Sequence, residues 1–304
     1  MSRKEAAEQL QRLVQGSVLV DEPMSRHTSF HIGGPADVLV VPATVEDVAA
    51  VLSFTKENNL PLTVLGNGSN VLVRDGGIRG VVLKLGNALK ECRQEGNRLH
   101  FGSGVPLSKA SRLAYEAGLT GMEFAVGIPG SIGGAVYMNA GAYDGEMKDV
   151  VTHVKVMTLD GEIRDLSAKE MDFSYRHSVL QTSGDIVLEL TVEMEQGDPE
   201  KIRAKMDDFS HRRSSKQPLE MPSAGSTFKR PAGHFVGPMI EESGLKGYRV
   251  GGAEVSVKHA GFVVNAGGAT AHDVLQLIDE IRKIIRERYG VELQPEVRVL
   301  GEEK

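Results

Sequence analysis

Seven glycines fall within the 25 residues Gly121–Gly145, GMEFAVGIPGSIGGAVYMNAGAYDG. Glycine loses more backbone entropy on folding than any other residue, so dense use marks backbone that needs special angles or close approach. The interspersed Ile128, Ile132, Ala135 and Val136 exclude a flexible linker. No Gly-X-Y period is present, which excludes collagen. What remains is a ligand lying on main-chain N–H groups. Successive amides of Gly127–Gly134, with the Ser131 hydroxyl among them, suit diphosphate oxygens without needing a lysine. The competing explanation is a tight crossing of the backbone.

Two further glycine loops fail the common phosphate patterns. Gly66-Asn67-Gly68 begins like a dinucleotide fingerprint, but Val71 stands where its third glycine belongs. Gly102-Ser103-Gly104 fails in the same way at Leu107, and no Walker A loop exists. An ordinary strand–turn connection also explains Leu65–Asn70.

The elements around these loops are legible. An amphipathic helix opens the chain, and Ala36–Val41 reads as a strand. Thr44 and Asp47 start a helix running to about Asn58, and Leu62–Leu65 and Val81–Leu85 are short strands. Leu107–Ala117 follows Pro106 as a helix and stops at Gly118. Val150–Leu159 and Glu162–Leu166, joined by Asp160-Gly161, form a hairpin, and Ile186–Glu195 is a strand. Asp198-Pro199 opens a helix expected to reach about Arg212, followed by a polar stretch from Ser214 to Ser226. Short strands lie around Val250–Val257 and Gly261–Val264, with a last one at Val297–Leu300. Between them a helix from Thr270 to about Tyr289 carries a Thr270/Asp273 capping box. The expected class is α+β, with small mixed sheets first and an antiparallel sheet with packed helices in the last third.

Bulk composition bounds the role. At 304 residues, 40% hydrophobic and 25% charged, the chain is a globular protein of two or three domains. A net charge of -6 gives nucleic acid no footing. Cys92 is the only cysteine, and no histidine pattern has metal spacing, so neither an internal disulfide nor a metal site is expected. The start lacks a signal-peptide core and no apolar run is long enough for a membrane span, so the cytoplasm is the expected compartment.

Five motifs in order carry a family resemblance: Leu65–Gly77, Gly127–Gly145, Ser174–Ser178, Lys216–Pro231 and Gln294–Arg298. Together they resemble the UDP-N-acetylenolpyruvoylglucosamine reductase family of peptidoglycan precursor synthesis, over nearly the whole chain. The resemblance implies an FAD-binding domain of the vanillyl-alcohol-oxidase type. Two subdomains, 1–78 and 79–200, would grip FAD, and 201–304 would form an α+β substrate-binding domain. Asn67, Gly68, Ser69, Asn70, Pro129, Ser131, Gly134, Gly141 and Ala142 stand where the family contacts flavin, and Arg213 looks like a further contact. The implied partners are a UDP-sugar and NADPH, acting on a monomer.

The implied reaction reduces an enolpyruvyl ether to a lactyl ether, with hydride passing from NADPH through FAD. Hydride arriving at the terminal carbon leaves negative charge beside the carboxylate, so cations and donors must face that enolate. The carbon then needs a proton from a positioned acid. By resemblance Ser226 is that donor, Arg176 faces the carboxylate and enolate, and Glu296 completes the site. Arginine's planar fork suits a carboxylate better than lysine. A serine hydroxyl is a weak acid, so Arg176 and Glu296 tune it or relay the proton back. Taken alone, Ser226 also reads as a turn serine, Arg176 as a surface arginine and Glu296 as a solvent-facing strand residue. Lys216 matches a contact to the substrate diphosphate, and Tyr175 and Arg230 are further substrate candidates. His259 reads as a satisfied structural histidine, with the cleft as its alternative.

Two departures stand out. The longer class of the family carries a substrate-binding tyrosine on an inserted loop, and no tyrosine lies between His177 and Tyr248, so the chain resembles the shorter class that lacks this loop. Arg230 replaces the asparagine that the longer class has after Phe-Lys. Two other readings stay open: an FAD-dependent hydroxy-acid oxidase of the same superfold, and a catalytically silent nucleotide-binding module.

Overall fold

The computed structural model describes residues 1–86, 88–143 and 145–304. Its chain forms two compact units. The first comprises Met1–Val20, Val38–Asn67 and Gly80–Arg213; the second comprises Asp21–Asp37, Gly68–Arg79 and Ser214–Lys304.

The first unit holds two apolar clusters. In one, helices Arg3–Leu13 and Val45–Glu57 lay Leu10, Val48, Val51 and Leu52 against Val38, Val40, Val81 and Leu83. Strand Leu62–Leu65 runs parallel to Val81–Lys84 within a sheet ordered Ser17–Pro23, Pro35–Val41, Ile78–Lys84, Leu62–Leu65. Thr44 caps the second helix, accepting the Asp47 N–H at 3.2 Å as its spacing implies.

Asp47 does more than open that helix. It is 2% exposed, and its carboxylate accepts N–H groups from Gln15 and Gly16 at 2.9 Å and from Ala43 at 2.7 Å. Burial alone would raise its pKa, but these bonds prevail and hold the carboxyl below the ordinary range. Asp47→Ala leaves three amides unmet, an expected loss of about 3 kcal/mol in a denaturant titration. Because the folded pKa is depressed, this stabilisation is complete above the unfolded value of about 3.9 and disappears as pH falls through the folded one. The gap between wild type and variant should therefore narrow in acid. A gap independent of pH would exclude the ionised carboxylate as its source.

The other cluster underlies a five-stranded antiparallel sheet. Its order is Ile163–Ser167, Val151–Met157, Ile186–Glu193, Arg98–Gly102, Cys92–Glu95. The hairpin turn reads as expected, with Gly161 at φ 87°. The small mixed sheets expected here are thus partly replaced by one larger antiparallel sheet. Cys92–Glu95 escapes pattern reading because all four residues are exposed. Phe101, Val154, Leu190 and Val192 pack with Leu107 and Ala110 of helix Leu107–Glu116 and with Ile132 and Val136 of helix Ile132–Tyr137.

In the second unit, helix Ala271–Tyr289 buries Val274, Leu277, Ile278, Ile281 and Ile285. These pack with Ala253, Val255 and Val263 of an antiparallel sheet, Arg249–Val250, Ala253–Val255, Val263–Asn265. The Thr270/Asp273 capping box is formed. Strand Arg298–Leu300 pairs in parallel with Val71–Val73, more than 200 residues earlier in the chain. Helix Pro199–Lys216 continues past the expected end near Arg212, so Ser214–Lys216 is helical rather than part of the polar loop. Among the described residues, no helix is long and apolar enough to cross a membrane.

Candidate active site

The two glycine loops of the first unit touch. A Cβ on Gly66 would stand 2.6 Å from Ser131 Oγ, so a side chain there would displace that hydroxyl. Ser131 is buried and caps the helix Ile132–Tyr137, its Oγ accepting the Gly134 N–H at 3.4 Å. A Cβ on Gly86 would lie 2.2 Å from Asn67 Oδ1. That oxygen is buried and has no hydrogen-bond partner among the described residues. Buried acceptors are rarely left unpaired, so it marks a place for a ligand donor.

The run of free amides is shorter than expected. Ile128 N–H donates to Ala125 at 3.1 Å, Ile132 to Val105 at 2.8 Å and Gly133 to Ser103 at 2.9 Å. With Gly134 capped and Pro129 lacking an N–H, this leaves Gly127, Gly130 and Ser131 as donors among the described residues. The Gly102–Gly104 loop, which lacks the third glycine of a phosphate fingerprint, instead supports this one. A Cβ on Gly104 would strike Ala88 O at 1.6 Å, and one on Gly133 would meet Ser103 Cβ at 2.8 Å. The signal available in the sequence was the spacing of its two glycines.

Arg213 lies beside this loop. A Cβ on Gly127 would stand 2.6 Å from Arg213 Cδ. Burial lowers the arginine's pKa despite an opposing contribution from Tyr143, which itself stacks on Phe209 at 4.5 Å. No described carboxylate forms an ion pair with Arg213, so its half-buried charge suits an anionic ligand.

Arg176 stands on a tight turn. Ser174 and His177 exchange both backbone hydrogen bonds, at 3.1 and 3.2 Å. Arg176 holds φ at 55°, a left-handed conformation that costs a non-glycine residue about 1–2 kcal/mol. Such strain persists where the surroundings over-determine it, commonly at functional positions. Its Nη2 donates to Gly141 O at 3.2 Å, and its guanidinium lies 5.2 Å from the centre of the exposed Tyr175 ring. Arg176 is thereby joined to the Gly141–Ala142 strand.

The second unit gathers the remaining loop and two acid–base candidates. Gly68 takes φ 68°, and a Cβ there would lie 2.1 Å from His27 O. Asn70 O accepts the Arg298 N–H at 3.0 Å, while Asn70 Nδ2 donates to Glu296 O at 3.3 Å. Glu296 N–H donates to Thr227 O and Lys229 N–H to Gln294 O, both at 2.8 Å, around the Phe228–Pro295 bridge. Thr227 is buried, its Oγ1 accepting the Val263 N–H at 2.9 Å. Ser226 thus sits exposed beside a fixed residue, one step from the backbone bond to half-buried Glu296. Ser69 precedes Asn70 in the same loop.

Lys216 is exposed at the end of its helix, and Arg230 stacks on Phe235 at 4.0 Å. His259 Nδ1 accepts the Gly261 N–H at 3.1 Å, and its ring meets Phe262 edge-on. Burial pushes its pKa down, with Lys246 and Lys216 adding to the effect. No three His, Cys, Asp or Glu residues among those described could hold a metal ion. Asn67, Pro129, Ser131, Gly134, Gly141, Ala142, Tyr175, Arg176 and Arg213 belong to the first unit. Gly68, Ser69, Asn70, Lys216, Ser226, Arg230 and Glu296 belong to the second.

Residues 36–167 match the family model described as the FAD binding domain. With the α+β architecture and the glycine loops, this makes the chain an FAD-containing oxidoreductase with an additional C-terminal domain. Residues 217–300 match the C-terminal domain of UDP-N-acetylenolpyruvoylglucosamine reductase. The enzyme of that name from Geobacillus kaustophilus is 53% identical over 304 residues, covering 98% of this chain and 100% of its own. That of Pediococcus pentosaceus is 52% identical over 287 residues, covering 94% and 95%. The crystal structure of the Thermus caldophilus enzyme is 34% identical, covers 94% of this chain and 99% of its own, and superposes with a TM-score of 0.79. The chain belongs to the UDP-N-acetylenolpyruvoylglucosamine reductase family.

Proposed function

We propose that the chain reduces the enolpyruvyl ether of UDP-N-acetylglucosamine to UDP-N-acetylmuramate at the expense of NADPH, with Ser226 as proton donor. The observation that carries the assignment is the placement of Ser226 and Glu296 on neighbouring backbone segments, with Asn70 bonded to the Glu296 carbonyl. FAD, when bound, supplies hydride for the double bond and takes it from NADPH. The proton enters from solvent and is relayed by the chain's own acid–base groups, and the charge that faces the enolate is supplied by the chain.

The residues present fit FAD. Asn67 Oδ1 is a buried acceptor suited to a hydroxyl or N–H of the cofactor. Arg213 is a half-buried cation beside Gly127, suited to its anionic part. Gly68, Ser69, Asn70, Pro129, Ser131, Gly134, Gly141 and Ala142 would line the rest. Arg176 would face the substrate carboxylate and the enolate that develops from it. Ser226 Oγ would deliver a proton to the carbon beside that carboxylate, and Glu296 would return one to the serine. Lys216, Tyr175 and Arg230 would hold the UDP-sugar.

Purified protein should be yellow, or become so on addition of FAD. A colourless protein that takes up no FAD contradicts the proposal. Arg213→Met should raise the FAD dissociation constant about 10–100-fold, the effect of losing one charged hydrogen-bonding group. Fluorescence titration of apoprotein measures this, and unchanged affinity removes Arg213 from the cofactor site.

A further inference from the structure

We infer that Asn139 is a positioning residue that fastens the Arg176 turn to the paired strands Gly141–Ala142 and Gly145–Glu146. The inference rests on the reading of Arg176 given above. Asn139 is 0% exposed and holds φ at 41°, a left-handed conformation that asparagine tolerates better than most residues. Its Nδ2 donates to Ser174 O at 3.0 Å and to Glu146 Oε2 at 2.9 Å, and its Oδ1 accepts the Lys148 N–H at 2.9 Å. One side chain thus grips the first residue of the Arg176 turn and the far end of the glycine loop. Glu146 is in turn paired in register with Gly141, whose carbonyl receives the Arg176 guanidinium. The circuit closes: Arg176, Gly141, Glu146, Asn139, Ser174 and back to Arg176.

Gln181 makes a second grip on the same turn. Its Nε2 donates to Arg176 O and to Tyr137 O, both at 3.0 Å, while Ser178 Oγ donates to Tyr137 O at 2.8 Å. A strained arginine backbone is therefore clamped at two carbonyls, those of Ser174 and Arg176. Asn139 is fully buried, and both its amide N–H groups are bonded inside the protein, so it is a support and not a ligand contact. It reaches the reaction through what it holds: the Arg176 turn on one side and, through Glu146, the Gly141–Ala142 strand on the other, with its effect assigned to the first.

The test is a double-mutant cycle on the holoenzyme, with the two half-reactions followed separately by flavin absorbance. Asn139→Ala should slow reoxidation of the reduced enzyme by the enolpyruvyl UDP-sugar about 10–100-fold, while flavin reduction by NADPH stays within about threefold of wild type. In an Arg176→Ala background, Asn139→Ala should have almost no further effect on reoxidation. Equal losses in both half-reactions, or a full additive loss in the double variant, would mean a merely structural role and overturn the inference. Arg176→Ala without effect on reoxidation overturns the underlying reading instead. Gln181→Leu removes the second grip and should show the same selective loss to a smaller degree. It keeps the inference open to refutation if Asn139→Ala does not fold. Retention of full reoxidation by a folded Gln181→Leu, with Asn139→Ala unfolded, likewise counts against clamping of the turn.

Discussion

Ser226→Ala should keep FAD and its reduction by NADPH, yet lose about 10²–10⁴-fold in reduction of the enolpyruvyl ether, as removal of a general acid does. The loss should be confined to chemistry because the substitution removes one exposed oxygen and leaves its support intact. The next residue, Thr227, is bonded to Gly261 through its N–H, to Val263 through its hydroxyl and to Glu296 through its carbonyl. Gly225, at φ 77°, sets the turn before it. An alanine at 226 therefore inherits the same backbone. Stopped-flow absorbance separates the two half-reactions, and normal reoxidation by the UDP-sugar would remove Ser226 from the proton path.

Arg176→Gly should show the second large effect: a fall of about 10²–10³-fold in reoxidation by substrate, the loss of one electrostatic contact to the enolate. Stability should not fall with it. Glycine adopts φ 55° without the cost that arginine bears there, which works against the lost contacts to Gly141 O and Tyr175 and against glycine's greater freedom in the unfolded chain. Arg176→Lys keeps the charge and loses the planar fork, so it should recover only part of the rate. A glycine variant that is both slow and markedly less stable would mean that Arg176 serves the fold rather than the reaction.

What could be read from the sequence follows from range. Thr44, Thr270 and Gly161 announced their elements because caps and turns are decided within a few residues. The glycine segments announce a main-chain site because a missing Cβ at Gly66 leaves room for the Ser131 hydroxyl. The five motifs supplied the family, which the relatives over nearly the full chain bear out. Local pattern could not show that Asn70 would bond to Glu296, 226 residues away. Nor could it show that Ser103 would take the Gly133 amide and so shorten the run of free donors. Cys92–Glu95 lacked the alternation of a strand because it is exposed throughout at the edge of its sheet. Asn139 stands inside the glycine-rich segment, where an asparagine among glycines reads as a turn residue until its three partners are seen.

The central claim, that this flavoprotein passes hydride from NADPH to an enolpyruvyl UDP-sugar, is met most directly by NADPH oxidation followed at steady state with and without that sugar. The expected result is slow oxidation alone and rapid oxidation with the sugar, continuing without oxygen and yielding UDP-N-acetylmuramate. Rapid oxidation that ignores the sugar and consumes oxygen would contradict the account and favour an oxidase.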